Sequence, residues 1–311
     1  MSLNNLIGYS FRNPTLRKIH ELYSDYEKEA EIVKKSWNNK IRDYLRDKMG
    51  VKLIDERGEA IPVPVRIKAS YDKSFINVIE TRYQHLDFDL YFTLLQFRNV
   101  AYEVKPHFEY PLAANAISYS IDYAEKLIKD YPFENLNRDL FSFLRDDYNK
   151  DIFGCYFIKQ HEVELYLLPC ILFSKLYNLN LQNFITVILT HELSHAYNHV
   201  GFDKDNLHWD VFPKTDEFLA EGLAQYYTFT FIENVSDYNP LLLTTFNTLL
   251  DQQPDAYKTF KKWMVDNSYE AVFRAFIEMR RKKLHRVEEF ERILAVSKDT
   301  LVVKPQQIMF K

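Results

Sequence analysis

The sequence is poor in glycine and cysteine, with six and two respectively among 311 residues. Two cysteines, Cys155 and Cys170, neither staple a fold of this size nor make a cysteine-rich metal site, so they read as reduced and packed. Scarce glycine argues against a loop-rich scaffold and for long helices. Charge of one sign is also lacking: 40 basic side chains against 44 acidic ones give a net charge of -4. No basic surplus points to phosphate backbones or anionic lipid, which excludes nucleic acid and membrane surfaces as expected partners. No stretch approaches the roughly 20 apolar residues that span a bilayer, and the start MSLNNLIGYSFRNP lacks the charged, then apolar, layout of a secretion signal. The expectation is a cytoplasmic chain.

Hydrophobic residues, by contrast, make up 47% of the chain, with 22 tyrosines and 24 phenylalanines, enough to fill a large core. Without a matching basic stripe, the aromatic cluster around residues 83–110 reads as core rather than as a base-stacking surface. Helix formers with apolar residues every three to four positions predict a surface helix from Thr15 to about Lys48, suited to packing on another domain or a partner protein. VKLI, a turn at Gly58 and AIPVPVRIK predict short strands, and HLDFDLYF alternates Leu86, Phe88, Leu90 and Phe92 on one face of a further strand. Helices are predicted over residues 112–131 and in LNRDLFSFLRDDY, then a hairpin from CYFIK and VELYLL. CILFSKLYNLN and LQNFITVILTHELSHAYNHV then read as helices, and from Asp216 to the end the chain reads as almost entirely helical, with breaks near Asn239-Pro240 and Pro254. The fold class is helix-rich α+β.

The chemistry concentrates in the run HELSH. Residues four apart share one helix face, so His191 and His195 present two imidazoles to a single ion. Glu192, about 100 degrees around the helix, is poorly placed as a third ligand but reaches a water on the same ion and is the candidate general base. A catalytic zinc site takes three protein ligands and keeps a fourth position open. Glu217 and Glu221, one turn apart in DEFLAEGLAQYY, are the candidates for the third. Between the two segments lies GFDKDNLHWDVFPKT, in which Gly201 ends the helix and Asp203 and Asp205 read as solvated loop acids.

HELSH with a downstream helical glutamate resembles the gluzincin metallopeptidases, and FLAEGLAQYY is similar to the W-L-x-E-G-[FL]-A-x-Y segment of leucine-aminopeptidase-like enzymes. That resemblance implies Zn2+ held by His191, His195 and Glu221. A rival alignment to E-x-x-A-D makes Glu217 the ligand instead. It further implies a zincin-like catalytic domain over residues 111–311, with an N-lobe at 111–200 and a helical C-lobe at 201–311. A helical segment, 1–50, and a small β-rich accessory region, 51–110, precede it; DERGEAIPVPVRI there resembles the start of an immunoglobulin-like or transthyretin-like domain.

The implied activity is hydrolysis of a peptide bond in a peptide or protein substrate, with Glu192 moving the proton. Tyr226, Tyr227 and His208 are the candidates for stabilising the carbonyl oxyanion. His199 reads as a rim residue near the metal. The amine-recognising G-x-M-E-N run is missing, which points to an endopeptidase or a selective processing enzyme rather than an aminopeptidase. The alternative is a non-catalytic zincin-fold binding or regulatory protein that retains the metal site and meets a partner through the N-terminal region.

Overall fold

A computed structural model describes residues 14–69, 88–107, 111–130 and 153–299. The elements in chain order are α1 (Pro14–Met49), β1 (Val51–Lys52), β2 (Val65–Lys68), α2 (Phe88–Val104), α3 (Pro111–Asp130), β3 (Gly154–Phe157), β4 (Glu162–Tyr166) and α4 (Leu167–Leu176). They continue with α5 (Leu181–Val200), β5 (Phe202–Asp203), α6 (Glu217–Val235), α7 (Pro240–Gln252), α8 (Asp255–Lys258), α9 (Phe260–Asp266), α10 (Tyr269–Arg281) and α11 (Val287–Asp299). The result is a helix-rich α+β architecture, and no helix among the described residues is long and apolar enough to cross a membrane.

One element departs from its sequence reading. Phe88–Val104 is a helix, α2, where the alternation of Phe88, Leu90 and Phe92 predicts a strand. The alternating residues are interleaved with Tyr91, Leu94, Leu95 and Phe97, so the same stretch also carries helical spacing, and neither glycine nor proline interrupts it. Packing of α2 against α3 selects the helix. Leu86 and the segment LNRDLFSFLRDDY lie outside the described residues.

The chain divides into two compact units. The described residues within 1–29, 67–153 and 166–181 form the first, in which α2 packs on α3 and Phe173 meets Phe153 edge-on and lies tilted against Tyr177. The second gathers residues 30–66, 154–165 and 182–311 and contains every residue of the site described below. Spatial grouping therefore cuts across chain order: the C-terminal half of α1 belongs with α5 and α6. Its Ile41, Leu45 and Met49 are fully buried, Trp37 and Tyr44 meet the ring of Phe231 edge-on, and the Tyr197 hydroxyl donates to the Arg42 carbonyl at 3.0 Å.

α5 is the spine of this unit. It has no glycine or proline, and every position after Gln182 is buried, as expected of a helix that is apolar around most of its circumference. The hydroxyls of Thr186, Thr190 and Ser194 return to the carbonyls four residues back, at 2.7 to 2.8 Å, so these three hydroxyls are satisfied inside the core without a partner element. The helix ends at Val200, and the next position has room only for glycine: a β-carbon on Gly201 would stand 2.5 Å from the Tyr197 carbonyl oxygen and 2.9 Å from Val51 Cγ2. That close approach lets β1 pair with β5, Val51 opposite Asp203 and Lys52 opposite Phe202.

The predicted hairpin is present: β3 and β4 are antiparallel, with Gly154 opposite Leu165 and Phe157 opposite Glu162. β2 adds to the other side of β4, giving the order β2-β4-β3, which leaves β3 at an edge. Gly154 faces α5, where a β-carbon would lie 2.8 Å from Ile188 Cγ2 and 2.9 Å from Glu192 Cγ. Gly154→Ala is therefore expected to push β3 off the helix, at about 1–3 kcal/mol for overpacking, and to shift Glu192 with it. Thermal melting of the variant checks this, and an unchanged midpoint would show that strand and helix absorb the added methyl.

Candidate metal centre

His191 and His195 lie one turn apart on α5, and Glu221 reaches them from the second turn of α6. His191 Nε2 stands 3.1 Å from His195 Nε2 and 3.0 Å from Glu221 Oε2, and His195 Nε2 is 3.4 Å from the same carboxylate oxygen. Two imidazoles are thus turned towards each other with an anionic oxygen between them. In a tetrahedral zinc site with ligand bonds near 2.0–2.1 Å, ligand atoms are separated by about 3.3 Å, so this donor set has the right size and chemistry for a divalent ion.

The start of α6 sets where Glu221 falls. Asp216 caps the helix, its Oδ1 accepting from the Leu219 amide at 2.9 Å while its Oδ2 accepts from the Val287 amide at 2.6 Å. With the first turn pinned, Glu217 is exposed and Glu221, a turn later, points inward. Of the two candidate carboxylates, Glu221 is the one brought to the histidines; Glu217 is not. Burial acts to raise the Glu221 pKa, but the His195 charge and hydrogen bonds from both histidines outweigh it and hold the carboxyl well below the usual range. It is anionic at neutral pH.

Glu192 is 1% exposed and packs on the β3 side of α5 beside Gly154. It does not belong to the three-residue donor group. Two aromatic residues complete the surroundings: the Tyr257 ring stacks on His191 with centroids 5.5 Å apart and planes at 17°, and Phe212 lies 6.4 Å from the His195 ring. Neither was identifiable in the sequence, because each comes from a segment with no motif and reaches the site only through packing.

Tyr226 and Tyr227 leave the site. They follow Glu221 by five and six residues on α6, which rotates them by about 140 and 240 degrees from its face. Tyr226 stacks on Tyr269 in the wall of a separate cavity, and Tyr227, fully buried, meets Phe276 edge-on.

His208 joins a second group of imidazoles. Its ring is 6.1 Å from His199, whose other neighbour, His161, is 5.4 Å away. The Tyr156 hydroxyl is hydrogen-bonded to His199 Nδ1 at 3.0 Å. Asp203 and Asp205 are engaged elsewhere, Asp203 Oδ1 accepting from two loop amides at 2.9 Å and Asp205 pairing with Arg281.

Burial, reinforced by His161 and His208, pushes the His199 pKa down to about 4. An unfolded histidine titrates near 6.5, so between about pH 6.5 and 4 the unfolded chain binds the extra proton and stability falls on acidification. The expected observation is a melting temperature that drops through this window in chelator-treated protein, with a smaller drop in His199→Gln. Equal pH dependence in the two proteins would remove His199 from the account.

No family model, curated protein or solved structure matches the chain, so its chemistry rests on its own residues.

Proposed function

We propose that the chain is a zinc-dependent peptidase of the gluzincin type, with His191, His195 and Glu221 as ligands and Glu192 as general base. The observation that carries this reading is the convergence of three side chains from two helices at ligand-set spacing, with a buried carboxylate next in sequence to the first of them.

When bound, zinc would polarise a carbonyl and bring the pKa of water towards about 7. The Glu192 carboxylate accepts the proton of the attacking water and returns it to the leaving amine, so it must be ionised at the start of the cycle. Glu221 supplies a fixed negative charge that keeps the two imidazoles paired with an anion. An extended substrate is accommodated by adding to β3, whose outer edge carries no strand among the described residues and which packs on α5 at Gly154, beside Glu192.

Metal content and cleavage test this together. The wild-type chain is expected to bind one zinc and to cut members of a fluorogenic peptide library, with cleavage lost on chelation and restored by zinc. Glu221→Ala should lower zinc affinity by more than the roughly 10–100-fold typical of outer partners of a metal site, whereas Glu217→Ala should leave it unchanged. Equal affinity in wild type and Glu221→Ala, or no peptide cut at zinc saturation, would overturn the proposal.

A further inference from the structure

We propose that a second site, on the opposite face of α6 from the metal ligands, binds a small organic cation carrying an alkylammonium or guanidinium group. It is a cavity of about 400 Å3, within the roughly 300–1,000 Å3 of small-molecule pockets. Its walls are aromatic. The Tyr226 and Tyr269 rings lie nearly parallel, at 17° with centroids 6.3 Å apart, and Tyr44 forms a third face. The Tyr269 hydroxyl donates to the Lys48 carbonyl at the end of α1, which fixes that ring before any ligand arrives.

The polar groups define the ligand. Glu233 and Glu270 line the cavity, and neither forms an ion pair among the described residues. Asn267, 8% exposed, donates through Nδ2 to the Trp263 carbonyl at 2.9 Å, while its Oδ1 has no hydrogen-bond partner. Two carboxylates and an unused buried carbonyl oxygen call for a donor with positive charge, and an anion would meet net repulsion.

The aromatic faces point the same way. Lys48 Nζ lies 5.9 Å from the Tyr44 centroid and 5.0 Å from that of Tyr269, so these rings already attract an ammonium. Lys48 is itself exposed, and its long side chain is free to give way to a ligand cation that also reaches Glu233, Glu270 and Asn267.

Isothermal titration calorimetry of the full chain with agmatine, which carries both groups, tests the site. Saturable one-to-one binding is expected with a Kd below about 1 mM, unaffected by chelator, and with no heat from the neutral 1,5-pentanediol. Acetyl-arginine amide separates two sources of the same chemistry: tighter binding of agmatine marks a free aminoalkylguanidine as the ligand, tighter binding of the capped arginine marks a peptide side chain. Glu233→Gln with Glu270→Gln should weaken agmatine at least tenfold. Should that pair melt early, Glu270→Gln alone is expected to weaken it in the same direction. Absence of saturable binding, equal binding of the diol, or undiminished affinity in folded variants would overturn the proposal.

Discussion

Replacing Glu192 by glutamine is expected to lower peptide turnover by about 10²–10⁴-fold, the usual range for a general base, while leaving zinc content intact. Glutamine keeps the volume that fills the space between α5 and Gly154, where contacts are already close. It loses only the capacity to take a proton. Because the side chain is 1% exposed, neutralising it also removes a desolvated charge, so the melting temperature should hold or rise. The combination matters: activity falls, metal stays and stability does not suffer. A variant that cleaves peptides at the wild-type rate would exclude Glu192 as the base. One that loses zinc would mean that the carboxylate contributes to the ligand set.

The parts of this site that were legible in the sequence are those fixed by helix geometry. His191 and His195 needed only four-residue spacing and a long uninterrupted helix, and both conditions are local. Glu221 was legible through its motif, although spacing alone left Glu217 equal to it; the Asp216 cap decides which turn of α6 faces inward. Tyr226 and Tyr227 are attractive by proximity in sequence, and rotation about the same helix turns them away from the Glu221 face, towards Tyr269 and Phe276. Tyr257 and Phe212 could not be foreseen, since long-range packing alone carries them to the histidine rings. At the fold level, the alternation at Phe88–Phe92 was ambiguous because dense aromatics satisfy two periods at once, and contact with α3 resolves it. The two-residue pairing of β1 with β5 was too short to leave a signal.

Nothing in the basic run MRRKKLH distinguishes Arg280 from its neighbours, yet its substitution by methionine is expected to cost about 3–5 kcal/mol of folding stability. Arg281 and Lys283 extend to surface partners, Asp205 and Asp210. Arg280 is 1% exposed: Nη1 donates to the Asn198 carbonyl at 3.1 Å, and Nη2 donates to the Leu207 carbonyl at 3.1 Å and to that of Gly201. One guanidinium thus closes the C-terminus of α5, where unpaired carbonyls and the negative end of the helix dipole meet. Burial lowers its pKa to about 10, opposed by Asp203, so the group stays charged at neutral pH.

Methionine would fill much of the volume but strand those carbonyls and leave Asp203 buried without its cation. Lysine should recover only part of the loss, because a single ammonium cannot span the same fork of acceptors. Urea unfolding of the three proteins measures this. His195 sits just over one turn before the end of α5, so fraying that helix should also weaken zinc binding, and saturating zinc should restore part of the lost stability. A loss below about 1 kcal/mol in Arg280→Met, within the range of ordinary surface pairs, would show that water can replace the guanidinium at this helix end.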